Sequence, residues 1–148
     1  MTTKQKGFSL IELLIVVAII LVIAAIAIPN FLRAKITANE AQAVSSIHAI
    51  NTSQIEYTAM NPNIGYSANL IAIGPAGSGY IDAVLASGTK GGYTITYTQV
   101  AGVPSTAYTV NADPVVRGVT GIRSFFSDST NVTRYDPSVP ATVASPAL

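Results

Sequence analysis

Residues Leu13 to Ile28 carry no polar side chain, and no other feature of the chain limits its fold so strongly. Extending the run back to Phe8 adds only Ser9 and Glu12. A helix rises ~1.5 Å per residue, so Phe8 to Ile28 would reach roughly 30 Å, the thickness of a bilayer's hydrocarbon core. Such a segment must sit in lipid or in the interior of an assembly. Glu12 breaks the pattern. An ionised carboxylate in a membrane-length helix costs about 2.5–3.5 kcal/mol on insertion scales, so Glu12 calls for a cationic partner.

The residues around Glu12 form a recognisable order. A short polar leader with Lys4 and Lys6 runs into Gly7-Phe8-Ser9-Leu10-Ile11-Glu12, and a proline follows at Pro29. This pattern resembles the class III signal of type IV pilins and pseudopilins, closely in the N-terminal third and loosely beyond it. The resemblance implies cleavage by a membrane peptidase between Gly7 and Phe8, with N-methylation of Phe8 by the same peptidase/methylase. It implies that Phe8, Glu12 and Pro29 serve subunit assembly, with Glu12 attracting the terminal amine of a neighbouring copy. The expected function is that of a structural subunit, a major pilin, of a type IV pilus. A pseudopilin of a type II secretion system, or a minor pilin, shares the same signal. The implied partners are the lipid bilayer before assembly, the inner-membrane assembly platform and further copies of the chain in a homopolymeric filament. The implied location is the bacterial inner membrane for the precursor and an extracellular filament after assembly.

A reading of another class is a secreted ligand-binding domain behind a conventional signal peptide. Ala25-Ile26-Ala27 fits an A-x-A cleavage site. Against it, the apolar run is longer than a typical signal core and has Glu12 at its start. Charge does not orient the span: Lys4 and Lys6 flank one side, Arg33 and Lys35 the other. The cytoplasmic N-terminus is an implication of the resemblance alone.

The expected organisation is a leader at 1–7, a transmembrane and assembly helix at 8–28, a globular domain at 29–136 and a flexible Pro/Ala-rich tail at 137–148. Pro29 removes a backbone donor and should kink the helix. Beyond it, Ile36, Ala43, Ile47, Ile50 and Tyr57 keep helical spacing and mark one apolar stripe, with Glu40 and Gln54 interrupting its edge. Met60-Asn61-Pro62-Asn63 stops the helix. Glycines and prolines punctuate 61–92, within which Tyr80 to Ala86 suits one or two helical turns with Ile81, Val84 and Leu85 inward. From Tyr93 the period changes to two. Strands are expected from Tyr93 to Thr98, Ala107 to Asn111, Ile122 to Ser127 and Val132 to Tyr135. The fold class is therefore α+β: a long N-terminal helix packed on a roughly four-stranded antiparallel meander, which resembles the pilin fold.

Little else in the chain points to chemistry. The formal net charge is +1, and no basic or acidic cluster marks a nucleic-acid site. The sequence has no cysteine and one histidine, His48, so no triad, disulfide or nitrogen-rich metal site can be built from it. The reading is of a non-enzyme without a cofactor. Asp128, Asn131 and Asp136 are weak calcium candidates because they lack the D-x-[DN]-x-[DN]-G order; turn capping explains them better. The glycine-rich stretches at 74–79 and 88–92 lack phosphate-loop spacing. Asn51-Thr52-Ser53 and Asn131-Val132-Thr133 match a glycosylation sequon that is common by chance.

Overall fold

The computed structural model describes residues 7–148, so Met1 to Lys6 of the expected leader lie outside the described residues. Helix α1 runs from Leu10 to Met60 and continues through Pro29. The chain divides into two compact units at Ala34 and Lys35. In the first, α1 is apolar all round and its large side chains are exposed. In the second, α1 becomes amphipathic and carries a sheet.

That sheet has five antiparallel strands in chain order: β1 (Thr89–Lys90), β2 (Tyr93–Gln99), β3 (Tyr108–Pro114), β4 (Ser124–Asp128) and β5 (Arg134–Asp136). Strands β2 and β3 pair from Tyr93↔Pro114 to Gln99↔Tyr108, and Phe125 of β4 sits between Ala112 and Tyr135. The period-two pattern sends Tyr93, Ile95, Tyr108, Val110, Ala112 and Phe125 inward. There they meet Ala43, Ile47 and Ile50 of α1 in one core. Two short helices, α2 (Leu70–Ile73) and α3 (Ala83–Ala86), close it through Leu70, Ile73 and Leu85. Each is started by a side-chain cap: Asn69 accepts from the Ala72 N–H and Asp82 from the Leu85 N–H.

The structure corrects several expectations. The sheet has a fifth strand because Gly91 and Gly92 both take positive φ. Two such residues form the tight hairpin loop that glycine pairs favour, and this folds Thr89 and Lys90 back onto Thr94 and Tyr93. Strand β3 runs on to Pro114, β4 starts at Ser124 rather than Ile122, and β5 is confined to Arg134–Asp136. Val84, expected inward, is 57% exposed while Ile81 and Leu85 are buried, because α3 is only one turn long. The tail at 137–148, expected to be flexible, lies against the sheet. Ala141 and Ser145 are buried, and Asn111 of β3 donates to the Ala141 carbonyl at 2.9 Å. Ser124 and Phe126 on the outer face of β4 are buried as well as Phe125 and Ser127, and Ser124 accepts from the Arg117 guanidinium at 2.7 Å.

Glu40 and Gln54 do not sit at the edge of the helix stripe. Both are buried within it, with Asn51. Each is matched to partners across the core. One Glu40 oxygen accepts the N–H groups of Ile122 and Arg123 at 2.9 and 3.0 Å, and the other accepts from the Arg123 guanidinium at 2.8 Å. Asn51 donates to the Ser127 hydroxyl and accepts from Tyr108. Gln54 donates to the Ser67 hydroxyl and accepts the Ser67 N–H. Buried polar groups are tolerated when paired in this way. The pairs fix the rotation of α1 against the sheet, which the narrow stripe of Ala43, Ile47 and Ile50 would define poorly.

Burial pushes the Glu40 carboxyl upward, but the Arg123 and Ile122 N–H groups and the guanidinium outweigh it and hold the group below the ordinary carboxylate range. Stability from this contact is therefore present above the unfolded-state value near 4.5 and is lost as pH falls through the folded value. Glu40→Ala should cost about 1.5–3 kcal/mol, the range for hydrogen bonds to a charged group. It should also flatten the acid limb of the stability curve, measured by thermal unfolding of the detergent-solubilised chain. A second test concerns Gly65, at φ 79°, where an added Cβ would lie 2.1 Å from the Ser105 carbonyl oxygen. Gly65→Ala should lower stability by ~1–3 kcal/mol in the same assay.

Candidate processing and assembly site

The N-terminal site is built by the start of α1. Gly7, Phe8 and Ser9 precede the helix and are exposed, and Phe8 is 78% exposed. The Gly7–Phe8 peptide bond thus lies in non-helical chain, where an enzyme can grip it. Helix α1 then begins at Leu10. The Ser9 N–H donates to a Glu12 carboxylate oxygen at 2.8 Å, and the Ser9 carbonyl accepts from Leu13. The spacing is that of a capping box, in which the third helical residue returns to the capping residue's N–H. The carboxylate also sits where the helix dipole favours a negative charge. Ser-x-x-Glu before an apolar run was the signal for this contact, and the sequence reading did not use it.

Past Glu12, α1 passes the length and composition test for a membrane span, with mean hydropathy 3.3 over its most apolar stretch and none of that stretch buried. From Phe8 to Leu32 every Leu, Ile, Val and Phe is exposed, from 47% at Val16 and Val17 to 80% at Leu10. Pro29 lies inside this surface. Gly7, Phe8 and Glu12 are thus brought together at one helix start, whereas Pro29 stands further along the same helix.

The remaining candidates serve the fold. Asp128 accepts from the N–H and hydroxyl of Thr130. Asp136 accepts from Ser138 and from the Val139 N–H, which hold its carboxyl below the ordinary range. Asn131 takes φ 61° in the turn after β4. Each acid caps its own turn, and among the described residues no three His, Cys, Asp or Glu side chains gather where they could hold a metal ion. His48 is exposed on α1. Asn51, the first sequon asparagine, is buried and hydrogen-bonded at both ends of its amide, which closes it to modification in the folded chain. Burial pushes the Tyr97 hydroxyl up to about 12, and it donates to the Ser67 carbonyl. A shallow hollow beside α2 and α3 is lined by Ile71, Pro75, Ala76, Ala83, Ala86 and Ser87, a set without a titratable group.

Comparison with known proteins bears on the N-terminal site and on much of the domain. The family signature described as "Prokaryotic N-terminal methylation motif" matches residues 2–28. The type IV major pilin protein PilA of Myxococcus xanthus is 39% identical over 72 residues, 49% of this chain and 33% of that protein. The type IV major fimbrial protein FimA of Dichelobacter nodosus is 37% identical over 113 residues, 76% of this chain and 68% of that protein. The type II secretion system core protein G of Escherichia coli is 38% identical over 60 residues, 40% of this chain and 41% of that protein. The match thus spans about a third of the Myxococcus relative and 55% of the wide-pilus component PilA4 of Thermus thermophilus. No solved structure matches significantly. With an N-terminal methylation motif, a long apolar helix running into an antiparallel sheet, and FimA aligned over more than two thirds of its length, the chain belongs to the type IV pilin family.

Proposed function

We propose that this chain is a structural, non-enzymatic subunit of a type IV pilus that polymerises through the first half of α1. One observation carries the reading: the large apolar side chains from Phe8 to Leu32 are exposed in the single chain. Burying a Val, Leu, Ile or Phe side chain contributes about 1.5–3 kcal/mol. A run of such residues therefore supplies a large drive to leave water, first for lipid and then for other copies.

The maturation steps are those that the N-terminal methylation motif implies. The precursor waits in the inner membrane, anchored by residues 8–28. A prepilin peptidase cuts the Gly7–Phe8 bond and methylates the new amine of Phe8. That amine is a cation at the head of a helix whose carboxylate, Glu12, is one turn away. Within one subunit Glu12 holds the Ser9 N–H. During assembly the same carboxylate accepts the ammonium of a neighbour, so both charges leave the water and lipid interface as a pair. An unpaired acid would oppose that transfer. The assembly platform then moves the subunit from the membrane into the extracellular filament, where Pro29 lets the helix adjust between the two environments.

The second reading, a pseudopilin of a type II secretion apparatus, is favoured by the similarity to core protein G. A surface filament purified in quantity and composed mainly of this chain would decide for the pilus.

Glu12→Val should remain a substrate for cleavage but should assemble poorly, with filament yield reduced at least tenfold in electron micrographs and sheared fractions. Wild-type filament yield from Glu12→Val would remove the charge pair from the mechanism.

A further inference from the structure

The outer edge of β5 is not open. After Asp136 the chain turns through the exposed residues Pro137, Ser138, Val139 and Pro140 and returns along β5. The Tyr135 N–H donates to the Pro146 carbonyl at 3.0 Å, and the Leu148 N–H donates to the Thr133 carbonyl at 2.9 Å. These two bonds frame an antiparallel pair between Arg134 and Ala147. The Arg134 guanidinium adds a bond to the Ser145 carbonyl at 2.9 Å. The C-terminal segment therefore behaves as a short strand that covers an edge which would otherwise template pairing with another chain.

The attachment is shallow. Its buried side chains are the small ones, Ala141 and Ser145, whereas Val139, Val143 and Leu148 remain 53–63% exposed. No covalent bond fastens it, because the sequence has no cysteine. The hinge, Pro137 to Pro140, is exposed and carries two prolines, and exchange of an identical element between copies is a low-cost route to dimers. The hinge is short: its four residues, 137 to 140, extend to roughly 13 Å, so exchange joins two copies whose β5 edges lie side by side.

We propose that residues 141–148 are an exchangeable β-clasp. The clasp closes the β5 edge of its own subunit, and the same edge takes the clasp of a second copy. The occupant follows from the structure itself: the one peptide shown to fit this edge is the segment that every copy carries. Exchange would link neighbouring domains by main-chain hydrogen bonds independently of α1.

Arg134 and Ala147 stand opposite each other between the framing bonds, a geometry that brings Cα atoms to about 4.5 Å and suits a disulfide. The test uses the purified full-length chain in detergent micelles, oxidised and run on non-reducing gels. The double variant Arg134→Cys/Ala147→Cys, kept dilute, should form an intrachain bond, which also shows that the clasp and fold are intact. Differently tagged Arg134→Cys and Ala147→Cys chains, mixed and concentrated, should form a mixed disulfide dimer carrying both tags. Its fraction should rise at least fivefold over a tenfold increase in concentration. Mixed chains that stay monomeric while the double variant closes within itself would overturn exchange. Failure of the double variant to close would overturn the clasp.

Discussion

Everything in this protein depends on an apolar surface that one chain cannot cover. From Leu10 to Leu32 α1 is continuous helix, but its side chains find no core. Among the described residues of the first unit no other segment packs on them. A helix that is apolar all round is stable only in lipid or inside an assembly. Glu12 is the exception on that surface. It is placed where an acid costs least, in the first turn, bonded to a backbone N–H and facing the positive end of the helix dipole.

The second half of the same helix solves a different problem. Besides Ala it is rich in Ser, Asn and Thr, residues of lower helix propensity, and its apolar stripe is narrow. Burial of Ala43, Ile47 and Ile50 would leave its rotation poorly fixed. Glu40, Asn51 and Gln54 supply that definition. Each reaches a different part of the chain: the loop before β4, the β3 and β4 strands, and the loop leading to α2. With no disulfide to close the C-terminal part of the domain, main-chain pairing of the last residues to β5 performs that closure. The Arg123 guanidinium ties two of these features together. It pairs with Glu40 and lies over the rings of Phe125 and Tyr135 at 5.5 and 5.6 Å.

What the sequence made legible is what local pattern encodes. Alternation of Tyr93, Ile95 and Tyr97 with threonines marked β2, and seven-, four- and three-residue steps marked the buried face of α1. Gly7, Phe8 and Glu12 stood out because their signal is a short motif. The misses arise where long-range partners decide. Glu40 and Gln54 looked like edge residues because their donors, Ile122, Arg123 and Ser67, are distant in sequence or lie in loops. The fifth strand was hidden by reading Gly91-Gly92 only as a breaker, although a Gly-Gly pair is also among the favoured hairpin turns. The tail looked loose because Pro, Ala and Ser carry no periodicity. Its order comes from the edge it covers, which one-dimensional pattern does not reveal.

The identity of the mature N-terminus is the most direct measure of whether the exposed start of α1 is a cleaved, then polymerised, anchor. Intact and peptide mass spectrometry of the chain recovered from the cell surface should find Phe8 as first residue, carrying one methyl group on its amine. A chain beginning at Ile28, cut after Ala25-Ile26-Ala27, would have lost both Glu12 and the apolar surface. That result would contradict assembly through α1 outright.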